Sequence, residues 1–257
     1  MMKAVYDEPR YYEIAFSFRD IGAEVDAFEL CFERYAGLPV KSILELGCGP
    51  SPHMAELLKR GYAYTGLDTN QSMIDYSSRK ASALPGTARF VRADMLDFSM
   101  PETFDFAFIA LGSLCAQNTE EIFSHLRSVA HVLNQGGLYL MDWCIQFAPY
   151  RERSESWSIE QGAITVTTQV TEKMVDPAEQ LVQETMSLEV LDAGTVSHLS
   201  ETSVNRVIFP QEFLLIVERI GELEFVGWWN NWDLERPLGE AKDPGSISRP
   251  IALLRRA

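Results

Sequence analysis

The sequence predicts an α/β protein: a doubly wound, seven-stranded, mostly parallel sheet with an antiparallel β excursion after its fifth strand. Three observations predict it. Short apolar runs alternate with helical periodicity from residue 42 to 141. The first run, Ile43-Leu44-Glu45-Leu46, ends in Gly47-Cys48-Gly49, a turn where the backbone can bend tightly and approach a ligand with no Cβ in the way. From residue 164 the pattern switches to three long Thr- and Val-rich runs, which have no place inside a parallel core.

Taken in order, Val25, Phe28, Phe32 and Tyr35 recur at helical spacing and predict an amphipathic helix over 23–36. The first strand is 42–46. Ser51-Pro52 reads as N-cap and first helical residue of a helix near 52–60, and Gly61 as its left-handed C-cap. A second strand over 63–67 is closed by Asp68, and a helix over 70–82 follows. Strands at 89–91 and 104–110, a helix over 119–133, a turn at Asn134-Gln135-Gly136-Gly137 and a strand over 138–141 continue the alternation. The excursion runs through 164–170, 181–191 and 196–208, with turns at Asp176-Pro177 and Asp192-Ala193-Gly194. Pro210-Gln211 then opens a helix to Ile220, and strands over 225–229 and 251–254 complete the sheet as a hairpin. The expected organisation is an N-terminal arm and lid helix over 1–36, a core over 37–148 and 209–257, and an insertion over 149–208 that covers the substrate or contacts a second subunit.

The chain has 257 residues, enough for one substantial core, and its 46% hydrophobic and 23% charged content is ordinary for a globular protein. No apolar run reaches the roughly 20 residues of a membrane span, and the N-terminal residues lack an apolar signal core. The net charge of −15, with no basic cluster beyond Arg255-Arg256, argues against a phosphate backbone as partner. Cys31, Cys48, Cys115 and Cys144 lie far apart with no CxxC pair, which fits reduced thiols and a cytoplasmic setting.

Gly47, Gly49 and Asp68 together suggest a site for a nucleoside-bearing cofactor. In open α/β sheets ligands bind beyond the carboxyl ends of the strands, where an acid about 20 residues after the glycines can take both ribose hydroxyls. A dinucleotide fingerprint needs a third glycine at position 52, and proline stands there. A nicotinamide-dependent oxidoreductase and a non-catalytic cofactor-binding protein of the same fold remain as alternatives.

Glu45-Leu-Gly47-Cys-Gly49-Pro-Ser51 resembles the first motif of the class I S-adenosylmethionine-dependent methyltransferases, with Ser51 in place of the third glycine. The resemblance implies a Rossmann-like sheet of order 3-2-1-4-5-7-6. It places Gly47, Cys48 and Gly49 along the methionine part of S-adenosyl-L-methionine, with Glu45 holding the loop and, through water, the cofactor amino group. Asp68 would take the ribose diol with Thr69 beside it. Arg92-Ala93-Asp94-Met95 matches the stretch after the third strand, so Asp94 would accept from the adenine amine and the Met95 N–H would serve a ring nitrogen. Ala110-Leu111-Gly112-Ser113 would mark the meeting of cofactor and acceptor, with Ser113 on the substrate side.

The segment Tyr6-Asp7, Tyr11-Tyr12-Glu13, Arg19-Asp20 resembles the lead-in of small-molecule N- and O-methyltransferases of the glycine N-methyltransferase and sugar-amine dimethyltransferase kind. In that group the segment folds over the site and a tyrosine touches the cofactor carboxylate, which points to Tyr12 first and Tyr11 second. Arg19 could bind an anion or simply pair Asp20 or Glu24. Trp228, in an aromatic run, could wall the acceptor. Leu111 and Phe147 could supply low-polarity walls around the sulfur.

Missing features narrow the acceptor. No Asn-Pro-Pro-Tyr or Asp-Pro-Pro-Tyr follows the fourth strand, and Cys115 is not preceded by proline, so base methylation is unsupported. Asp142 has no acidic counterpart in Leu111-Gly112-Ser113, so no metal is expected. The expectation is therefore direct displacement onto a nitrogen or oxygen of a small-molecule acceptor, in a protein that could be a homodimer. The lack of an evident base tilts it toward nitrogen. His125 and His131 read as helix-surface residues, His53 as a neighbour of the cofactor loop, and the Thr-rich strands as a solvated sheet.

Overall fold

Ile43, Leu44 and Leu46 have no exposed surface, because the strand they form lies in the middle of the large sheet with a neighbour on each side. That strand, β1 (Ser42–Leu46), belongs to a computed structural model that describes residues 4–240 and 247–257; residues 1–3 of the expected arm and 241–246 of the expected core lie outside the described residues. After β1 come α3 (Met54–Lys59), β2 (Ala63–Asp68), α4 (Gln71–Ala81), β3 (Ala88–Arg92), β4 (Phe104–Ile109), α5 (Thr119–Val132) and β5 (Leu133–Asp142). Before it lie α1 (Pro9–Ala15) and α2 (Ile21–Tyr35).

Four strands, β6 (Arg153–Gln161), β7 (Ile164–Asp176), β8 (Leu181–Asp192) and β9 (Thr195–Arg206), make the excursion. The chain returns through α6 (Pro210–Ile220), β10 (Leu223–Asn230), β11 (Asp233–Pro237) and β12 (Pro250–Arg256). The large sheet has the order β11-β10-β12-β5-β4-β1-β2-β3. Strands β1 to β5 are parallel; β12 runs antiparallel beside β5, and β10, antiparallel to β12, runs parallel to the rest. This is the expected order, with the short β11 added as an eighth strand at one edge. On one face α5 and α6 bury Ile122, Leu126, Phe213 and Val217. On the other, Val25, Phe28, Met54 and Leu57 of α2 and α3 pack against Ile43, Phe106 and Phe108.

The small sheet has the order β6-β7-β8-β9. One strand more than expected appears because β6 reads Arg-Ser-Glu-Ser-Trp-Ser-Ile-Glu-Gln, too polar to announce a strand. The sheet is not solvated on both sides. Ile164, Val166, Thr168 and Val170 of β7 and Val182, Met186, Leu188 and Val190 of β8 are buried. Val5, Ile14 and Ala15 of the arm pack on this same face. The period-2 alternation of the strands sends one apolar set to the arm, as a half-buried sheet requires.

Three local expectations are corrected. Ser51 is not an N-cap: it adopts φ +52°, and α3 starts only at Met54 with His53 in the cap position. Asn134–Gly137 is not a free turn but the first part of β5, where the pairing with β4 shifts register between Phe104 and Phe106. Gly136 (φ +79°) there meets Gly37, whose N–H donates to the Gly136 carbonyl at 2.8 Å, and a Cβ on Gly136 would sit 2.9 Å from the Gly37 Cα. His125, expected on a helix surface, is fully buried.

Candidate active site

The turn after β1 takes left-handed backbone at Gly47 (φ +62°), Gly49 (φ +49°) and Ser51 (φ +52°). A Cβ on Gly47 would come within 2.7 Å of the Met95 side-chain methyl, which could swing aside, so it is the positive φ that favours glycine there. At Gly49 the backbone angle alone sets the requirement. The Cys48 N–H bonds the Leu67 carbonyl at 2.9 Å, tying the turn to the tip of β2. Asp68 completes the tie: one carboxylate oxygen accepts from Gly49 N–H and the other from Asn70 N–H, each at 2.8 Å. Burial raises the Asp68 carboxyl above its ordinary range and these backbone donors oppose the rise.

Above this turn lies a cavity of about 750 Å³, the size of an ordinary small-molecule site. Gly47, Cys48 and Gly49 form its floor, with Asp68 and Thr69 at the tip of β2 and Asp94 and Met95 just past β3. Glu45, Tyr12 and Arg19 border it as well. Ala110, Leu111 and Ser113, just past β4, close the far wall. Leu111 holds φ +56°. Three candidates lie elsewhere. The Tyr11 hydroxyl donates to Asp192 at 3.0 Å and fastens the arm to the small sheet. Trp228 packs edge-on against Phe147 and beside Phe225 in the core, so neither it nor Phe147 borders the cavity.

Beneath the floor runs a buried polar chain that the sequence did not reveal. Tyr64 donates its hydroxyl to Glu45, whose other oxygen meets His53 Nδ1 at 3.2 Å. His53 Nε2 lies 2.9 Å from Glu24, which also accepts from Arg19 Nε and Arg249 Nη1, each at 3.0 Å. Arg249 grips Asp142 in a bidentate pair at 2.8 and 2.6 Å, and Asp142 in turn accepts the Leu111 N–H at 2.9 Å. His53, Arg19 and Arg249 thus face the carboxylates of Glu24, Glu45 and Asp142 along this chain. Burial pulls the His53 imidazole down, but the charge of Glu45 and hydrogen bonds to Glu24 and Glu45 raise it overall. Burial pushes Glu24 up, yet its bonds to His53 and Arg19 carry it well below the usual carboxylate range. Arg19, expected to bind an anion or to pair Asp20 or Glu24, pairs Glu24, and its side chain is only 4% exposed.

His125 supports the Met95 stretch. Its Nδ1 meets the Met95 carbonyl at 2.8 Å, so that nitrogen carries the proton, and Nε2 accepts the Tyr139 hydroxyl at 2.7 Å. Burial lowers its pKa to about 4, so the imidazole is neutral near pH 7.

A second cavity of about 300 Å³ adjoins the first. Tyr6, Tyr12, Phe16, Leu111, Ser113 and Cys115 border both and form a neck between them. Its far wall is the inner face of the small sheet, with Arg153, Glu172 and Glu184 upon it.

Comparisons with known proteins agree with this geometry. Residues 43–137 match a family described as methyltransferase domain. A cypemycin N-terminal methyltransferase from Streptomyces sp. is 25% identical over 200 residues, covering 75% of this chain and 76% of its own. Two other curated relatives align over 43% and 42% of this chain, and the aligned stretch spans 45% and 44% of their lengths. A crystal structure of an S-adenosylmethionine-dependent methyltransferase from Clostridium acetobutylicum ATCC 824 superposes with TM-score 0.75 at 16% identity, over 96% of both chains. The sugar N-methyltransferase KedS8 from Streptoalloteichus sp. ATCC 53650 gives 0.70 at 22%, over 100% of this chain and 95% of its own. Residues 43–137 thus match a methyltransferase domain, and the chain as a whole shares its fold with S-adenosylmethionine-dependent methyltransferases.

Proposed function

We propose that the protein transfers a methyl group from S-adenosylmethionine to an amine nitrogen of a small-molecule acceptor. The carrying observation is the pair of joined cavities: a cofactor-sized trough over the Gly47–Gly49 turn, opening at Leu111 and Ser113 into a smaller chamber. The residues present fit the cofactor, because the left-handed glycine turn leaves a cradle that a Cβ on Gly47 would fill. Asp68 would hold the ribose diol with Thr69 beside it, Asp94 and the Met95 N–H would face the adenine, and Tyr12 and Arg19 would face the amino-acid end. Bound there, S-adenosylmethionine supplies a methyl group already activated on a sulfonium.

What remains for the chain is alignment and exclusion of water, worth about 7–11 kcal/mol when orientation is good. Tyr6, Tyr12 and Phe16 narrow the neck from the arm side, while Leu111 and Ser113 fix it from the sheet side. Nitrogen is favoured because similar proteins are named as a sugar N-methyltransferase and a cypemycin N-terminal methyltransferase. The test is calorimetry with S-adenosylmethionine and with NADH, then S-adenosylhomocysteine production with matched amines and alcohols. Binding of the first alone, and product with amines alone, is expected. Binding of NADH alone would move the protein to the oxidoreductases.

A further inference from the structure

The small sheet is built so that one row of side chains crosses all four strands. Arg153 of β6 pairs in register with Glu172 of β7, Glu172 with Glu184 of β8, and Glu184 with Ser203 of β9. All four border the second cavity. Parity explains why they face inward. Glu172 continues the buried set Ile164, Val166, Thr168, Val170, and Glu184 lies between Val182 and Met186. Two acids on the apolar side of a sheet cost free energy unless something meets them. Arg153 meets Glu172, with Nη2 at 2.5 Å from its carboxylate, and lies over the Trp143 ring at 5.1 Å. Glu184 has the second carboxylate for a neighbour instead.

A second observation marks the same chamber. Tyr150 Oη, Arg153 Nε, Asn205 Oδ1 and Arg206 Nη1 are buried there without a hydrogen-bond partner among the described residues. They are four of eight such side-chain atoms found in the described residues, so half of them collect around one cavity. An unmet buried group costs free energy, and their concentration points to a ligand that brings hydrogen-bonding oxygens.

We propose that this chamber takes a small hydroxylated amine in its ammonium form and that the Glu184 carboxylate removes the proton that blocks its nitrogen. The proposal rests on the methyl-transfer reading above. The ammonium N–H bond breaks, its proton goes to a Glu184 carboxylate oxygen, and the electron pair stays on nitrogen. That pair forms the N–C bond to the methyl group at the neck, while the C–S bond breaks and its electrons stay on sulfur. The methylated product leaves as an ammonium, and Glu184 returns its proton to water. Burial first, and then the charge and hydrogen bond of Glu172, push the Glu184 carboxyl up to about 7, against the pull of Arg153. A base so poised accepts a proton near neutrality and releases it again. The other titratable groups facing it are Tyr6 and Tyr12 of the arm and Cys115 after β4, each of which responds to its charge.

The experiment compares full-length wild type with Glu184→Gln, Glu184→Asp and Glu172→Gln. The acceptor panel contains aminohexoses, amino alcohols and dipeptides, with the corresponding alcohols as controls. S-adenosylmethionine affinity should stay within about twofold in all variants, since neither glutamate borders the cofactor trough. Turnover of Glu184→Gln should fall at least ~100-fold at pH 7 and recover as pH rises and the amine loses its own proton. Glu184→Asp should keep part of the activity. Glu172→Gln removes the neighbouring charge and frees Arg153, so the acid limb of kcat/KM should move to lower pH. A wild-type rate and pH profile in Glu184→Gln, or no amine accepted by a wild type that binds the cofactor, would overturn the proposal while sparing cofactor assignment. A wild type that fails to bind S-adenosylmethionine would overturn the methyl-transfer reading and this one with it.

Discussion

Asp68 holds Gly49 by its backbone: the carboxylate accepts that N–H at 2.8 Å with one oxygen while the other takes Asn70. One side chain therefore ties the glycine turn to the tip of β2 and still borders the cavity where a ribose would lie. Asp68→Ala should weaken S-adenosylmethionine binding by about 1–3 kcal/mol through lost charge-assisted hydrogen bonds. Titration calorimetry reads this directly, and an unchanged affinity would remove the ribose assignment.

His53 and Glu24 form a buried contact whose stability has a defined pH window. The folded pKa of Glu24 is depressed below the ordinary 4.5 of an unfolded chain, so its contribution is complete above 4.5 and is lost as pH falls toward the folded value. The folded pKa of His53 is raised above 6.5, so its contribution is complete below 6.5 and is lost as pH rises through the raised value. Both act in full between 4.5 and 6.5. His53→Gln should lower Tm most in that window and flatten the decline of Tm on the alkaline side. Parallel Tm–pH curves for the two proteins would show that His53 stays neutral.

His125 slopes the other way. Its folded pKa of about 4 lies below 6.5, so the stability tied to its neutral form is complete above 6.5 and is lost as pH falls through about 4. His125→Gln should flatten the acid side of the Tm curve. Because the imidazole holds the Met95 carbonyl, the same variant should reduce cofactor affinity by about 1 kcal/mol through a loosened adenine end. Melts by circular dichroism at pH 4 to 8, paired with calorimetry, test both parts. An acid limb as steep as the wild type's would mean that another group sets it.

The glycine turn, Asp68 and Asp94 were legible because their chemistry lies within short stretches whose spacing a parallel sheet dictates. Strand order came from resemblance, since local patterning carries no information on which strands become neighbours. The polar chain under the floor was not legible: Glu24 and Arg249 stand 225 residues apart and meet only through the fold. Glu172 and Glu184 could have been found, since both sit at the apolar parity of their strands. Their threonine-rich surroundings suggested water on both faces instead. Tyr11 and Trp228 show the converse failure, because an aromatic side chain suits a core or a hinge contact as well as a substrate wall.

Arg249 makes the most consequential of the unforeseen contacts. Its guanidinium grips Asp142, which is wholly buried and holds the Leu111 N–H where the two cavities join. Arg249→Met would leave Asp142 without its cationic partner in an apolar interior, an uncompensated loss of about 3–5 kcal/mol. Asp142→Asn removes the charge but keeps an oxygen that can accept from Leu111. The double variant should therefore be more stable than Arg249→Met alone, with a coupling of about 1–3 kcal/mol in a double-mutant cycle. Urea unfolding measures all four corners. Additive losses would mean that water screens the pair and that the Leu111 turn is held by the backbone alone.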